Sequence, residues 1–148
     1  MCFLFLGAFS SCKKDSYDAE EQLRKDDALI VEFLAKNSLV AVKHSTGLYY
    51  QILVPGSGNV NFSASTTVSV NYEGKLLNGA SFDKSTAVTP FQLGSLIQGW
   101  QIGIPLIQKG GRIRLFIPST LAYKNESPSA AIPKNSVLDF TIDLINAQ

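Results

Sequence analysis

The stretch from Phe91 to Ile104, which carries the only tryptophan, constrains this chain more than any other. Leu96, Ile97, Trp100 and Ile104 fall on one side at helical spacing. Ser95 is placed to cap a helix, and Gly103 and Pro105 end it after about two turns. A helix so short cannot hold itself in water, because nucleation is costly and segments under roughly 12 residues are marginal. Its apolar side must be covered, and the segments on either side of it alternate with the period of strands.

Those segments read in order. Asp18 to Lys36 is helical: Asp18 with Glu21 forms a capping-box pattern, Leu23, Ile30, Phe33 and Leu34 share a face, and Lys36-Asn37 supply the stop. The mixed-sign run Glu20, Glu21, Arg24, Lys25, Asp26, Asp27 is expected on its solvated side. Ser38 to Lys43 and Gly47 to Leu53 read as two strands around a His44-Ser45-Thr46 turn, with His44 exposed. Thr67 to Glu73 alternates Val68, Val70, Tyr72 against Thr67, Ser69, Asn71, a half-buried antiparallel strand. Asn78-Gly79 marks a hairpin, expected as a type I′ turn, and places Phe82-Asp83 on the returning strand. Arg112 to Ile117 and Val137 to Ile145 complete the set, the latter with Leu138, Phe140, Ile142 and Leu144 inward. Between them the loop from Ser119 to Lys134 is too long for a plain connector and is a functional suspect. Strands outnumber helices and no βαβ alternation appears. The expected fold is α+β: a curved antiparallel sheet of five to six strands wrapped on one short central helix, with an added N-terminal helix.

Several kinds of chemistry lack the residues they need. With 13 basic against 12 acidic side chains and no basic stripe, nothing argues for nucleic acid. His44 is the only histidine, so no metal site is expected. The chain has no Gly-x-Ser-x-Gly, no cysteine–histidine pair and no phosphate-cradling loop with its lysine. What it has is aromatic and aliphatic residues from separate segments: Tyr72, Phe82, Trp100, Tyr123, Ile132 and Phe140.

The two cysteines, Cys2 and Cys12, both lie near the start. The apolar run Phe3 to Phe9 is too short to span a bilayer and leads through Ser10-Ser11-Cys12 into Lys13-Lys14-Asp15. That is the form of a signal segment, and its end resembles the site at which bacterial lipoproteins are cleaved before a cysteine that is then acylated. The expectation is a signal peptide over residues 1–11, a lipidated Cys12 with a linker and helix over 12–37, and a single domain over 38–148. The protein would then sit in the bacterial cell envelope, held to a membrane by lipid, its domain facing the periplasm or the cell surface.

One further pattern joins the separate pieces. In order and with compatible spacing come Val70-Asn71-Tyr72-Glu73-Gly74, Asn78-Gly79-Ala80-Ser81-Phe82-Asp83, Phe91-Gln92-Leu93-Gly94 with Leu96-Ile97-Gln98-Gly99-Trp100, Ile117-Pro118, Leu121-Ala122-Tyr123, Ala131-Ile132-Pro133 and Leu138-Asp139-Phe140. Together they resemble the FKBP-type prolyl isomerase family over roughly residues 47 to 146. The resemblance implies that Trp100 floors a proline pocket walled by Tyr72, Phe82, Ile97 and Phe140, with Leu96 and Ala122 also at the substrate. By the same likeness Tyr123 offers a hydroxyl to a ligand carbonyl, Asp83 stands at the pocket edge, the backbone N–H of Ile97 is a second donor, and Ile132 overhangs. The residues assigned to catalysis are Tyr72, Phe82, Asp83, Trp100 and Tyr123; Leu96, Ile97, Ala122, Ile132 and Phe140 are assigned to substrate binding.

The chain departs from that family in three places. The segment from Phe82 to Phe91 is short, no arginine stands there to pair with Asp83, and Lys124 takes a position where glycine usually follows the tyrosine. The implied activity is rotation of X-Pro bonds in exported proteins, with no cofactor, proline-containing polypeptides as partners and a monomeric state. The alternative is a non-catalytic peptide-binding or chaperone module that uses the same cleft.

Overall fold

A computed structural model describes residues 16–148; the expected signal segment, Cys2 and Cys12 lie outside the described residues. The first element is α1 (Ala19–Lys36), capped by Asp18, whose Oδ1 accepts the N–H groups of Glu20 at 3.0 Å and Glu21 at 3.1 Å. It ends with Ser38 at φ 53°, where the Ser38 N–H donates to Ala35 O and the Leu39 N–H to Leu34 O. This paired closure satisfies the last carbonyls of the helix.

Seven strands follow: β1 (Val42–Lys43), β2 (Tyr49–Val54), β3 (Thr67–Leu76), β4 (Ser81–Lys84), β5 (Thr89–Gln92), β6 (Arg112–Ile117) and β7 (Leu138–Ala147). They form one antiparallel sheet in the order β1-β2-β6-β7-β3-β4, with β5 also on β3. The two-residue β1 and the short β5 bring the number above the expected five to six. At Asn78-Gly79 the turn differs from expectation. Only Gly79 has positive φ, 89°, the Gly79 N–H returns to Leu76 O, and Leu76 N donates to Ala80 O. The loop is therefore a type I turn closed by a left-handed glycine rather than type I′. A separate bulge at Phe82 on β4 shifts the register between Gly74 and Lys75.

The short helix α2 (Gln98–Gly103) lies on one face of the sheet and continues as a 3₁₀ turn over Ile104–Leu106. It starts later than its sequence implies. Ser95 does not cap it; its hydroxyl donates to Gln92 O, and extended Ile97 is the capping residue, with Leu96 before it. Gly99 and Gly103 set how near α2 comes: a Cβ on Gly99 would lie 2.5 Å from Ile117 Cγ2 and one on Gly103 2.6 Å from Leu115 Cδ1. Under this close contact Val68, Val70, Ile113, Leu115, Ile117, Leu138, Ile142 and Leu144 are fully buried. They make one core with Trp100, Ile104 and Phe140.

Because successive strand residues point to opposite faces, Phe116 on β6 faces away from that core. There it meets Ile30 and Leu34 of α1 with Tyr49 and Val137, so α1 covers the other face of the same sheet. One residue of the mixed charge run breaks the expected pattern: Asp26 is fully buried. His44 is half-buried rather than exposed, its Nδ1 accepting the Thr46 N–H across the turn.

Candidate functional site

The α2 face does not close completely. Between α2 and the strands remains a cavity of about 160 Å³ lined by Tyr72, Asp83, Phe91, Leu96, Ile97, Trp100, Tyr123 and Phe140. Sites for drug-sized ligands run to roughly 300–1,000 Å³, so this one takes a single compact side chain. A larger recess of about 450 Å³ beside α1 is lined by Ser16, Asp18, Glu21, Gln22, Lys25 and other polar residues, and offers no dry wall.

Each side chain reaches the cavity for a local reason. Tyr72 stands on β3 two residues beyond Val70, on the same face, between the part of β3 paired with β5 and the part paired with β4. Phe140 enters from β7, Phe91 from β5, and Trp100 from the first turn of α2. The Trp100 ring meets Tyr72 at 5.2 Å and 76°, Phe140 at 5.1 Å and 90°, and Phe91 at 6.1 Å and 89°. Edge-to-face contact places positive ring edges against negative faces, and each such pair adds about 0.5–1.5 kcal/mol beyond burial. These contacts fix the indole as a floor, 4% exposed. Its Nε1 is buried with no acceptor among the described residues, and the rings of Tyr72, Phe91 and Phe140 pack on it.

Polar groups are confined to the rim. The Tyr72 hydroxyl donates to Asp83 Oδ2 at 2.9 Å, so tyrosine holds the carboxylate for which no arginine is present. Burial, then the hydrogen bond to Asp83 and its charge, push the Tyr72 phenol up to about 12. Tyr123 is raised as well, by burial first and by Asp83 second. Both phenols are therefore protonated donors at neutral pH. At the start of α2 the Ile97 N–H has no backbone acceptor among the described residues, as expected for the orphan donors of a helix entrance.

Of the residues singled out in the sequence, Tyr72, Asp83, Leu96, Ile97, Trp100, Tyr123 and Phe140 line the cavity. Phe82, Ala122 and Ile132 do not line it but pack against the same core, Phe82 edge-on to Phe140 at 5.4 Å. Phe91 is a wall that the site assignment omitted. The pairing of β5 on β3 brings it there, with Phe91 opposite Val68 and its neighbour Pro90 opposite Ser69. Lys124 stands at φ 57°, the left-handed region, which explains on steric grounds why glycine suits the position. Among the described residues no group of three or more histidine, cysteine, aspartate or glutamate side chains converges.

The arrangement is matched elsewhere. The family profile for FKBP-type peptidyl-prolyl cis-trans isomerase fits residues 58–145. A probable FKBP-type peptidyl-prolyl cis-trans isomerase of Haemophilus influenzae is 37% identical over 144 residues, covering 95% of this chain and 58% of that protein. The FKBP-type isomerase FkpA of Escherichia coli K12 is 43% identical over 107 residues, covering 70% of this chain and 39% of its own length. This chain thus spans only part of these relatives. The crystal structure of E. coli FkpA superposes with a TM-score of 0.74 at 36% identity, over 88% of this chain and 62% of that one. A peptidyl-prolyl cis-trans isomerase from Pseudomonas syringae gives 0.74 at 31% identity, over 90% of this chain and 98% of that one.

Proposed function

The chain belongs to the FKBP-type peptidyl-prolyl cis-trans isomerase family, and from that premise we propose that it catalyses rotation about X-Pro bonds in the cavity between α2 and the sheet. The observation that carries the reading is the dry floor of Trp100 boxed by Tyr72, Phe91 and Phe140, with donors only at its rim. A barrier of about 18–20 kcal/mol arises because amide resonance stiffens the C–N bond. The planar amide is charge-separated and well hydrated, whereas the twisted one has lost that resonance. A proline seated on the indole leaves its preceding carbonyl among apolar walls, which removes water from the planar form and so favours the twisted one by comparison. The Tyr123 hydroxyl and the Ile97 N–H hold the chain on either side while the bond turns. Each 1.4 kcal/mol or so gained this way is tenfold in rate. No proton is transferred and no cofactor enters.

The test is the cis-to-trans rate of a Phe-Pro peptide with the full chain, beside Trp100→Ala and Tyr123→Phe. Acceleration that falls in the Trp100 variant supports the isomerase. A flat rate with retained peptide affinity would instead support a binding or chaperone module, which the same cleft could serve.

The location is a second part of the proposal, resting on the apolar run Phe3 to Phe9 and the Ser10-Ser11-Cys12 junction. We infer cleavage before Cys12, acylation of its thiol and retention at a membrane of the cell envelope, where exported polypeptides are the substrates. Mass spectrometry of the mature protein should find a lipidated Cys12, and Cys12→Ala should release the protein from membranes. Unchanged membrane retention of that variant would refute the anchor.

A further inference from the structure

Asp26 projects from the buried side of α1 and is fully buried. Its Oδ2 accepts both the N–H of Ser119 at 2.7 Å and the Oγ–H of the same residue at 2.5 Å, and its Oδ1 accepts Gln22 Nε2 at 2.8 Å. A carboxyl group is costly to bury, and among the described residues no lysine or arginine pairs with this one. All of its bonding beyond α1 goes to a single residue. Ser119 opens the 3₁₀ turn Ser119–Leu121, and its carbonyl accepts the N–H groups of Ala122 at 3.0 Å and Lys124 at 2.8 Å. Tyr123 lies between those two donors and is a wall of the cavity. The turn carries a second burden in the left-handed Lys124.

We propose that Asp26 is a positioning residue for Tyr123: the helix on one face of the sheet fixes, through Ser119, the turn that presents the phenol on the other. The assignment rests on the isomerase reading, and it gives α1 a part in the site beyond covering the sheet. A loose turn would let Tyr123 leave the cavity rim, and the donor would then be placed only part of the time.

The test compares Asp26→Ala, Tyr123→Phe and the double variant in the full chain, with two readouts. Amide hydrogen exchange should rise about tenfold or more at Ala122 and Lys124 in Asp26→Ala, with Ile113 and Ile142 of the sheet changing much less. Efficiency on the Phe-Pro peptide should fall about tenfold in Asp26→Ala but less than about twofold when the same change is made in Tyr123→Phe, because the group acted on is already gone. A purely structural aspartate predicts the opposite: losses that multiply, or exchange that rises across the whole sheet. Either result overturns the proposal, as does unchanged exchange at Ala122 and Lys124. Should Asp26→Ala not fold, Asp26→Asn carries the same cycle with a smaller loss. If the parent proves inactive, the isomerase reading fails by itself, and the cycle on peptide affinity, read from Trp100 emission, still decides the coupling.

Discussion

The two helices cover opposite faces of one sheet by different means. α2 presses Trp100, Gly99 and Gly103 onto Leu115 and Ile117 by apolar contact and leaves a cavity between aromatic rings. α1 also buries apolar residues, Ile30 and Leu34 against Phe116, but adds directional bonds: Asp26 to Ser119, the Tyr49 hydroxyl to Asp27 at 2.8 Å, and Lys43 to Asp27 at 2.7 Å. Beside it Arg114 grips Asp139 with two hydrogen bonds, at 2.9 and 2.7 Å, and lies over the Phe116 ring. On that side these groups are paired, and only the buried Tyr17 hydroxyl is left without a partner among the described residues, so directional bonds fix the contact. On the α2 side a cavity remains among the rings, and the Ile97 N–H at its edge has no backbone acceptor among the described residues. A binding site needs apolar volume with donors still unspent, and a structural seam needs neither.

The largest expected effect tests that contrast directly. Trp100→Ala should lower stability by about 3–5 kcal/mol and also remove most of the acceleration of X-Pro rotation, because the floor serves both core and site. Phe116→Leu, on the α1 side, should lower stability by about 0.5–3 kcal/mol and leave the efficiency of the folded protein within about threefold of the parent. Equal losses of activity from the two would erase the distinction. Lys124→Gly should change stability less, since relief of about 1–2 kcal/mol of left-handed strain is offset by roughly 0.5–1 kcal/mol of added chain entropy. The net is a small rise in melting temperature, measurable by calorimetry.

The smallest effect concerns pH. Tyr72 is raised from 10.0 to about 12 by burial and by Asp83, so the folded state holds its proton where the unfolded chain has released it. Its contribution is complete below pH 10 and is lost as pH rises toward about 12. Denaturant midpoints should therefore fall across that interval more steeply in the parent than in Tyr72→Phe.

Much of this was legible in the chain because period and burial agree. The alternation of Leu138, Phe140, Ile142 and Leu144 marks β7, and the pattern of Ile30 with Leu34 marks the inner side of α1. Seven of the ten residues assigned to the site line the cavity, drawn from β3, β4, β7, the entrance and first turn of α2, and the turn after β6. What escaped were choices made by tertiary contact. Asp26 lies in a run of charges, and nothing local tells that its partner is Ser119, 93 residues away. Ser95 has the chemistry of a cap, yet the chain spends its hydroxyl on Gln92 and starts α2 at Gln98. Asn78 tolerates positive φ, but only Gly79 uses it. Phe91 opens the central stretch, and only the pairing of β5 beside β3 brings its ring to Trp100.

Because Trp100 is the only tryptophan, its emission reports on the cavity alone. Titrating the full chain with a short Phe-Pro peptide should shift that emission saturably, and the same peptide with alanine in place of proline should shift it little. Catalysis without any change in emission, or an equal change with alanine, would contradict the account, since proline would then be turned, or peptide bound, somewhere other than on the indole.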